Sequence, residues 1–227
     1  MKTIAILQSN YIPWKGYFDL IAAVDEFIIY DDMQYTKNDW RNRNKIKTST
    51  GTQWLTVPVG QDISRRICDV EIHEQGWQKK HWKNLAQWYG KAPHYAEIAE
   101  LLAPFYHEPY THLSQLNRGL IEAVCAYLGI TTHISSSRDY TLLEGKTRRL
   151  VGLCRQAGAT EYISGPAARG YLDEREFAEA KIKLTWFDYE DYPEYPQLWG
   201  DFTHHVSILD LLFNCGKDSA KKMRYVR

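Results

Sequence analysis

The chain has 227 residues, of which 44% are apolar and 25% charged, as in an ordinary globular protein with one core. Its 28 basic and 28 acidic side chains balance, so the overall positive field typical of nucleic-acid-binding proteins is missing. No stretch approaches the roughly 20 apolar residues of a membrane-spanning helix. We expect a cytoplasmic protein that forms one domain over residues 1–227 and binds neither nucleic acid nor membrane; the composition leaves its oligomeric state open.

The first third of the chain predicts a β-α-β unit followed by a β-rich insertion. Apolar runs at 3–7 and 27–31 indicate buried strands, and an amphipathic pattern at 17–24 indicates the helix between them. Residues 40–74 predict the insertion, with two strands joined by a turn at 48–52 and a further short strand at 69–74. A β-α-β unit favours a parallel pair of strands with a right-handed crossover.

The remainder of the chain predicts a helical section and a return to alternating strands and helices. Residues 77–128 predict three helices, with Pro104 bending or ending the second. Strands are predicted at 132–135, 161–164 and 181–189, and helices at 147–158 and 207–216, the last with Ser207 as its N-cap. The last dozen residues are basic and are expected to fray. The fold class is therefore α/β, with a parallel-sheet core.

Cysteine and histidine spacing argues against disulfide and metal frameworks. The cysteines at 68, 125, 154 and 215 are widely spaced and form no C-x-x-C pair, which indicates reduced thiols. The eight histidines show no H-x-x-x-H or H-E-x-x-H spacing. We expect no metal site.

Polar side chains follow the first two predicted strands. Gln8, Asn10, Tyr11 and Lys15 lie between the first strand and its helix, where free backbone N–H groups favour an anion. The alternative is an ordinary loop whose aromatic residues cover the core. Asp31 and Asp32 end the second strand, and because neighbouring strand residues point to opposite faces they do not form one carboxylate dyad.

Further candidates follow the later strands. Ser164 and Gly165 end the fourth strand and combine a small side chain with free N–H groups, as in an anion cradle. Thr147 and Arg149 open a helix in the stretch GKTRRL, where the arginine could bind a carboxylate or phosphate bidentately. The stretch WRNRN, with Trp40, Arg43 and Asn44, suits a sugar or nucleotide, although it could equally serve the fold.

Several motifs together resemble the WbqC-like family, in order and over nearly the whole chain. They are LQSNYIPWKGYFDLI, FIIYDDMQYTKNDWRNRNKI, WLTVPV, GKTRRLVGLCRQAGATEYISGPAARGYLD and LWGDFTHHVSILDLLFNCG. The resemblance implies a place in bacterial surface-glycan clusters, such as those for O-antigen, and modification of an amino sugar. We expect an enzyme, a transferase or amide-forming ligase, that moves an acyl or aminoacyl group onto the amine of a nucleotide-linked amino sugar.

The resemblance also implies site residues. Family motifs fall on Gln8, Tyr11, Tyr17, Asp31, Asp32, Trp40, Arg43, Asn44, Thr147, Arg149, Ser164, Gly165 and Tyr171. Asp31 and Asp32 are the candidate general bases for deprotonating an amine, and the others are candidate substrate-binding residues. The chain departs from the family pattern at Ser9, where a proline is expected, and at His204 and His205, where a proline and an aromatic residue are expected.

The first 32 residues are also similar to the opening of nucleotidylyltransferases, which implies a Rossmann-like core. The histidine pair of those enzymes is absent, because the corresponding stretch is Trp14-Lys15-Gly16-Tyr17. The cofactor is left open between ATP with Mg²⁺ and an acyl or aminoacyl donor. Two alternatives remain for the function: a nucleotidylyltransferase-like enzyme, or a non-catalytic protein that binds a sugar or a partner.

Overall fold

A computed structural model describes residues 1–73 and 76–227. The strands of this part of the chain are β1 (Thr3–Leu7), β2 (Glu26–Ile29), β3 (Arg43–Thr48), β4 (Gly51–Thr56), β5 (His133–Ser136), β6 (Glu161–Ser164) and β7 (Lys183–Trp186). Its α-helices are α1 (Lys15–Ala22), α2 (Trp77–Tyr89), α3 (Tyr95–His107), α4 (Leu113–Leu128), α5 (Lys146–Gln156), α6 (Glu174–Glu179) and α7 (Ile208–Cys215). None of these helices is long and apolar enough to cross a membrane.

Five strands form one parallel sheet in the order β5-β2-β1-β6-β7. β1 pairs with β2 on one side, where Ile6 lies opposite Ile28, and with β6 on the other, where Ile4 lies opposite Tyr162. Counted along the chain, these strands have the order 3-2-1-4-5 of a doubly wound fold. The predicted α/β class with a parallel-sheet core is confirmed.

Side chains of the central strands alternate between two apolar layers, as the period of a strand requires. Ala5 packs with α1 and α4 on one face of the sheet. Ile4 and Ile6 pack with α5 and α6 on the other. The crossovers therefore change face after β5, and this change defines a switch point between β1 and β6.

The β-rich insertion contains an antiparallel hairpin, in which Thr48 pairs with Gly51 across the predicted turn. The three helices of the helical section are confirmed as α2, α3 and α4. α3 continues past Pro104 to His107. The Ser207 hydroxyl caps α7 by accepting a hydrogen bond from the Leu209 N–H, as expected.

The strand predicted at 69–74 is not formed over 69–73, and Glu74 lies outside the described residues. A 3₁₀ turn over Ile67–Asp69 leads into an isolated bridge between Glu71 and His112. The N–H groups of the next two residues donate to separate segments, Ile72 to Thr111 O and His73 to Pro58 O. Because Thr111 and Pro58 belong to different segments of the chain, residues 71–73 form no continuous ladder with either segment.

The C-terminal residues are held in place, so the prediction of fraying is wrong. After α7 a 3₁₀ helix runs over Gly216–Lys222, and the side chains of Met223 and Val226 are buried in the core. The N–H groups of Arg224 and Tyr225 donate to Asp19 Oδ1 at 3.0 and 2.7 Å. The buried Asp19 carboxylate thus accepts two backbone hydrogen bonds from a tail that lies more than 200 residues away in the sequence.

Candidate functional site

The clearest candidate site is a cavity of about 520 Å³ at the switch point, here called the switch-point cavity. It is lined by the ends of β1 and β6 and by the start of α5. In open parallel sheets, helices diverge to opposite faces at this point and leave a crevice beyond the carboxyl ends of the strands. The volume lies within the range of small-molecule sites.

The switch-point cavity combines an apolar floor with a polar rim. Ile6, Leu7, Leu150 and Ile163 supply apolar surface. The polar groups are contributed by different segments, namely Gln8, Tyr30, Lys146, Arg149, Ser164 and Tyr171. Such a lining suits a ligand with one flat apolar part and one charged part.

The start of α5 makes one end of the cavity electropositive. Gly145, in the left-handed region at φ 91°, is the N-cap, and no side chain caps the helix there. Gly145 and Lys146 both line the cavity, so the free N–H groups of the first turn are available to an anion. This helix end has the properties of a phosphate or carboxylate site.

Arg149 adds a guanidinium to the same end of the cavity. Its Nε donates to Leu143 O at 2.7 Å, and Nη1 lies 3.5 Å from the Tyr30 hydroxyl. These contacts orient the planar group while leaving other N–H groups for a ligand. Arg149 also lowers the pKa of Tyr30, but burial has the larger effect and raises it.

Ser164 and Gly165 form the opposite wall. The Ser164 hydroxyl accepts a weak hydrogen bond from Tyr162 at 3.4 Å, and Ser164 is 5% exposed. Tyr171 stands at the rim and is 56% exposed. Together with Arg149 and Gln8 these residues line one cavity at the ends of β1 and β6.

The first loop, residues 8–14, is fixed by contacts with the insertion and with α4. Arg41 donates to Gln8 Oε1 at 3.3 Å and also to Asn10 Oδ1. Asn44 Nδ2 donates to Ile12 O at 2.9 Å. Asn117 from α4 donates to the Ser9 hydroxyl at 3.2 Å. Three side chains therefore hold the loop, two from the insertion and one from α4.

Ile12 shows why these contacts are needed. Its φ is +38°, in a region that a β-branched side chain rarely occupies. Strain of this kind costs on the order of 1–3 kcal/mol and persists only where the surroundings enforce it. Strained backbone concentrates at binding and catalytic sites, so the strain at Ile12 supports a functional role for the loop that contains it.

The two neighbouring aspartates have different partners. Asp31 is 5% exposed and accepts from both the N–H and the hydroxyl of Ser9, at 2.8 and 2.7 Å. Burial raises the pKa of Asp31, and the Ser9 hydrogen bonds oppose that rise. Asp32 accepts from the Ser137 hydroxyl at 2.6 Å and faces Arg66 at 3.4 Å. Neither carboxylate lines the switch-point cavity.

Several other predicted site residues lie in the core or at the hairpin. The Tyr11 hydroxyl contacts His81 Nδ1 at 2.9 Å and Tyr106 at 2.7 Å, and Tyr17 donates to Gln8 O at 3.0 Å. Thr147 Oγ1 accepts from the Asp173 N–H at 3.1 Å. These three side chains therefore support the fold around the site.

Lys15 also points away from the switch-point cavity. Its Nζ donates to Pro193 O at 3.2 Å and lies 5.0 and 5.3 Å from the ring centres of Tyr192 and Tyr195. Burial lowers the pKa of Lys15 to about 8. The helix start that lines the cavity is that of α5, whereas the sequence pointed to the start of α1.

Trp40 and Arg43 lie at the hairpin surface. Trp40 is 45% exposed and packs on Trp54, with ring centres 5.4 Å apart. The Arg43 guanidinium lies 4.2 Å from the centre of the Trp54 ring. Asn44, by contrast, is buried beneath them and holds the first loop.

Sequence reasoning missed Tyr30, Met33 and Lys146 as lining residues and Arg41 as the anchor of the first loop. Lys146 and Arg41 had a usable signal, because they lie inside the stretches GKTRRL and WRNRN. The others depend on contacts between distant segments that no local pattern records.

The sequence profile of the WbqC-like protein family matches residues 8–222 of the chain. The chain belongs to this family. A relative from Mycobacterium tuberculosis (strain ATCC 25618 / H37Rv), the uncharacterized protein Rv1507c, is 59% identical over 230 residues and aligned over 100% of both chains. No solved structure matches the chain.

Nine of the residues in motifs that resemble the WbqC-like family form two groups in the fold, while Asp32, Trp40, Arg43 and Thr147 make other contacts. One group lines the switch-point cavity: Gln8, Arg149, Ser164, Gly165 and Tyr171. The second group surrounds the first loop, where Tyr11, Tyr17, Asp31 and Asn44 make buried hydrogen bonds. These nine residues therefore lie at the cavity or around the loop that forms one of its walls.

Proposed function

We propose that this protein is an enzyme of bacterial surface-glycan biosynthesis, which transfers an acyl or aminoacyl group to the amine of a nucleotide-linked amino sugar. The observation that carries the proposal is the uncapped N-terminus of α5, with Lys146 and Arg149, at the switch-point cavity. This arrangement supports binding of a diphosphate at the helix end. The apolar floor supports binding of the base or ribose beside it.

The proposed chemistry requires an amine without its proton. A base takes the proton from the sugar ammonium, the nitrogen lone pair attacks the acyl carbonyl, and the donor's leaving group departs as the C–N bond is completed. The acyl group arrives already activated or is activated by ATP with Mg²⁺.

Asp32 is our candidate for the base. Its carboxylate does not itself line the cavity, but it precedes Met33, which does, and its Coulombic influence contributes to the raised pKa of Tyr30, another lining residue. Its carboxylate oxygens accept from Ser137 and Arg66 and retain further lone pairs. Asp31 is committed to Ser9, which supports a positioning role for that residue.

The four cysteines without disulfide bonds support a cytoplasmic location. Cys68, Cys125, Cys154 and Cys215 all lie in the described part of the chain and are unpaired. Free buried thiols are typical of a reducing compartment.

A thermal-shift panel tests the proposed ligand class. It contains UDP- and dTDP-sugars with and without a free amine, ATP with Mg²⁺, acyl-CoAs and free amino acids. A ligand present at 100 times its Kd stabilises the folded state by about 2.7 kcal/mol. We expect the amino-sugar nucleotide to raise Tm. A shift with ATP and Mg²⁺ alone would instead indicate a nucleotidylyltransferase-like enzyme, and no shift with any nucleotide would contradict the proposal.

The role of Asp32 is tested by turnover. With the nucleotide sugar and donor found by the panel, Asp32→Asn should lower kcat by about 10²-fold or more while leaving nucleotide affinity unchanged. The matched control is Asp69→Asn, an exposed aspartate that also pairs with Arg66. If Asp32→Asn turns over like the parent protein, another group is the base.

A further inference from the structure

A second cavity, of about 310 Å³, lies on the other side of the first loop. Its walls include the indoles of Trp14 and Trp40, and we call it the indole cavity. Gln8 lines the switch-point cavity and Asn10, two residues later, lines the indole cavity. The first loop is therefore a wall of both.

Both indoles are held in position by other aromatic rings. Trp14 packs against Tyr189 and Tyr192, with ring centres 5.3 and 5.9 Å away. Trp40 packs on Trp54, which is itself covered by Arg43. Aromatic surface that is fixed in advance loses little freedom when a ligand binds.

Trp14 is fixed further by the glycine beside it. A Cβ at Gly16 would lie 2.4 Å from the Trp14 ring, so only glycine allows the indole to lie across the start of α1. The Trp14 indole, which is a wall of the indole cavity, thus fills the space that a side chain at position 16 would need.

Polar side chains lie between the two indoles. Arg41 binds the Asn10 oxygen, which orients the amide and leaves its NH₂ group as a donor. His204 and His205 contribute imidazoles to the lining. His204 Nδ1 is buried without a hydrogen-bond partner among the described residues.

We propose that the indole cavity is a saccharide site, in which a pyranose ring lies against Trp14 and Trp40 and its hydroxyls bind Asn10, His204 and His205. A pyranose has apolar C–H faces and a perimeter of hydroxyls, which matches aromatic walls with polar groups between them. An acyl chain would leave the amide and imidazoles without partners. The proposal is independent of nucleotide binding in the switch-point cavity.

Saturation-transfer NMR on the full-length protein tests this site. The probes are methyl β-D-glucopyranoside and its 2-amino and 2-acetamido analogues, at up to about 10 mM, a concentration that fills most of a site with millimolar Kd. We expect saturation of the ring protons, with affinity at least about tenfold lower in Trp40→Leu and partly restored in Trp40→Tyr. His205→Ala, at an exposed position, should also weaken binding.

Two controls separate this site from the rest of the protein. Trp186→Leu removes an indole that lies on β7, away from the cavity, and should leave sugar binding unchanged. Arg149→Gln removes a group of the switch-point cavity and should also leave it unchanged, even if nucleotide binding is lost. Uridine and octanoate serve as comparison probes for a nucleoside and an acyl chain. The proposal is overturned if no pyranoside shows transfer, or if Trp40→Leu binds the pyranosides like the parent. It is also overturned if uridine or octanoate alone shows transfer that depends on Trp40.

Discussion

Replacing Asp31 by alanine tests whether this buried carboxylate holds the first loop. The change removes two hydrogen bonds from Ser9, at 2.8 and 2.7 Å, and leaves the Ser9 N–H and hydroxyl without that acceptor. Hydrogen bonds to a charged acceptor contribute about 1.5–3 kcal/mol each. Burial of the charge offsets part of this, so we expect the free energy of unfolding to fall by about 2–4 kcal/mol.

The assay is chemical denaturation, supported by thermal melting. For a domain of this size the expected loss lowers Tm by about 5–15 °C. Asp69→Ala is the control, because Asp69 pairs with Arg66 at the surface and exposed pairs contribute little. A Tm of Asp31→Ala within about 2 °C of the parent value would refute the proposal that Asp31 holds the first loop.

The pH dependence adds a second check with a distinctive sign. The folded-state pKa of Asp31 is raised, so between its ordinary value and the raised value the folded protein binds more protons than the unfolded chain. This contribution to stability therefore increases as pH falls through that window and is lost as pH rises. The stability difference between parent and Asp31→Ala should widen towards acid, whereas a salt-bridged aspartate would show the opposite trend.

Three further changes test the surroundings of the site. Tyr11→Phe removes a buried hydroxyl that contacts His81 and Tyr106, and should cost about 1–3 kcal/mol in denaturant titrations without changing ligand affinity. We expect the parent's Tm to rise from about pH 8 towards pH 10, because the folded-state pKa of Lys15 is lowered to about 8 and the unfolded chain then binds more protons, and Lys15→Met should abolish that rise. Deleting residues 223–227 should lower Tm by about 6 °C or more, since it exposes core and removes two donors from Asp19.

Each of these has a result that would contradict it. Unchanged stability in Tyr11→Phe would mean that the hydroxyl network contributes nothing. A Tm profile of Lys15→Met that rises like the parent's would place the titrating group elsewhere. A truncated chain with the parent's Tm would restore the sequence prediction of a frayed tail.

Much of the fold follows from local sequence patterns. The hairpin was predictable because Thr48 to Thr52 combines turn-forming residues with alternating flanks, and α7 because Ser207 precedes an apolar helix that Gly216 ends. The cavity at the ends of β1 and β6 was predictable from general rules for parallel sheets.

The parts that were missed depend on distant contacts. The tail is fixed because Asp19 needs donors, and nothing near residue 224 signals that need. Lys15 looks like a loop cation in sequence but lies among aromatic rings from residues 192 and 195. Arg41 anchors Gln8 and Asn10 from more than 30 residues away. Local periodicity carries no information on such pairings.

The central claim is that the switch-point cavity binds the diphosphate of a nucleotide sugar at the start of α5. Calorimetric titration of a UDP-amino sugar into the parent, Arg149→Gln and Arg148→Gln tests it most directly. Arg148 is on the same turn but is exposed and does not line the cavity, so both variants lose one charge from the same helix end. We expect Arg149→Gln to weaken binding about 10–100-fold, as for loss of a charge-assisted contact, and Arg148→Gln to change it less than about threefold. Equal effects of the two variants, or none, would contradict the account.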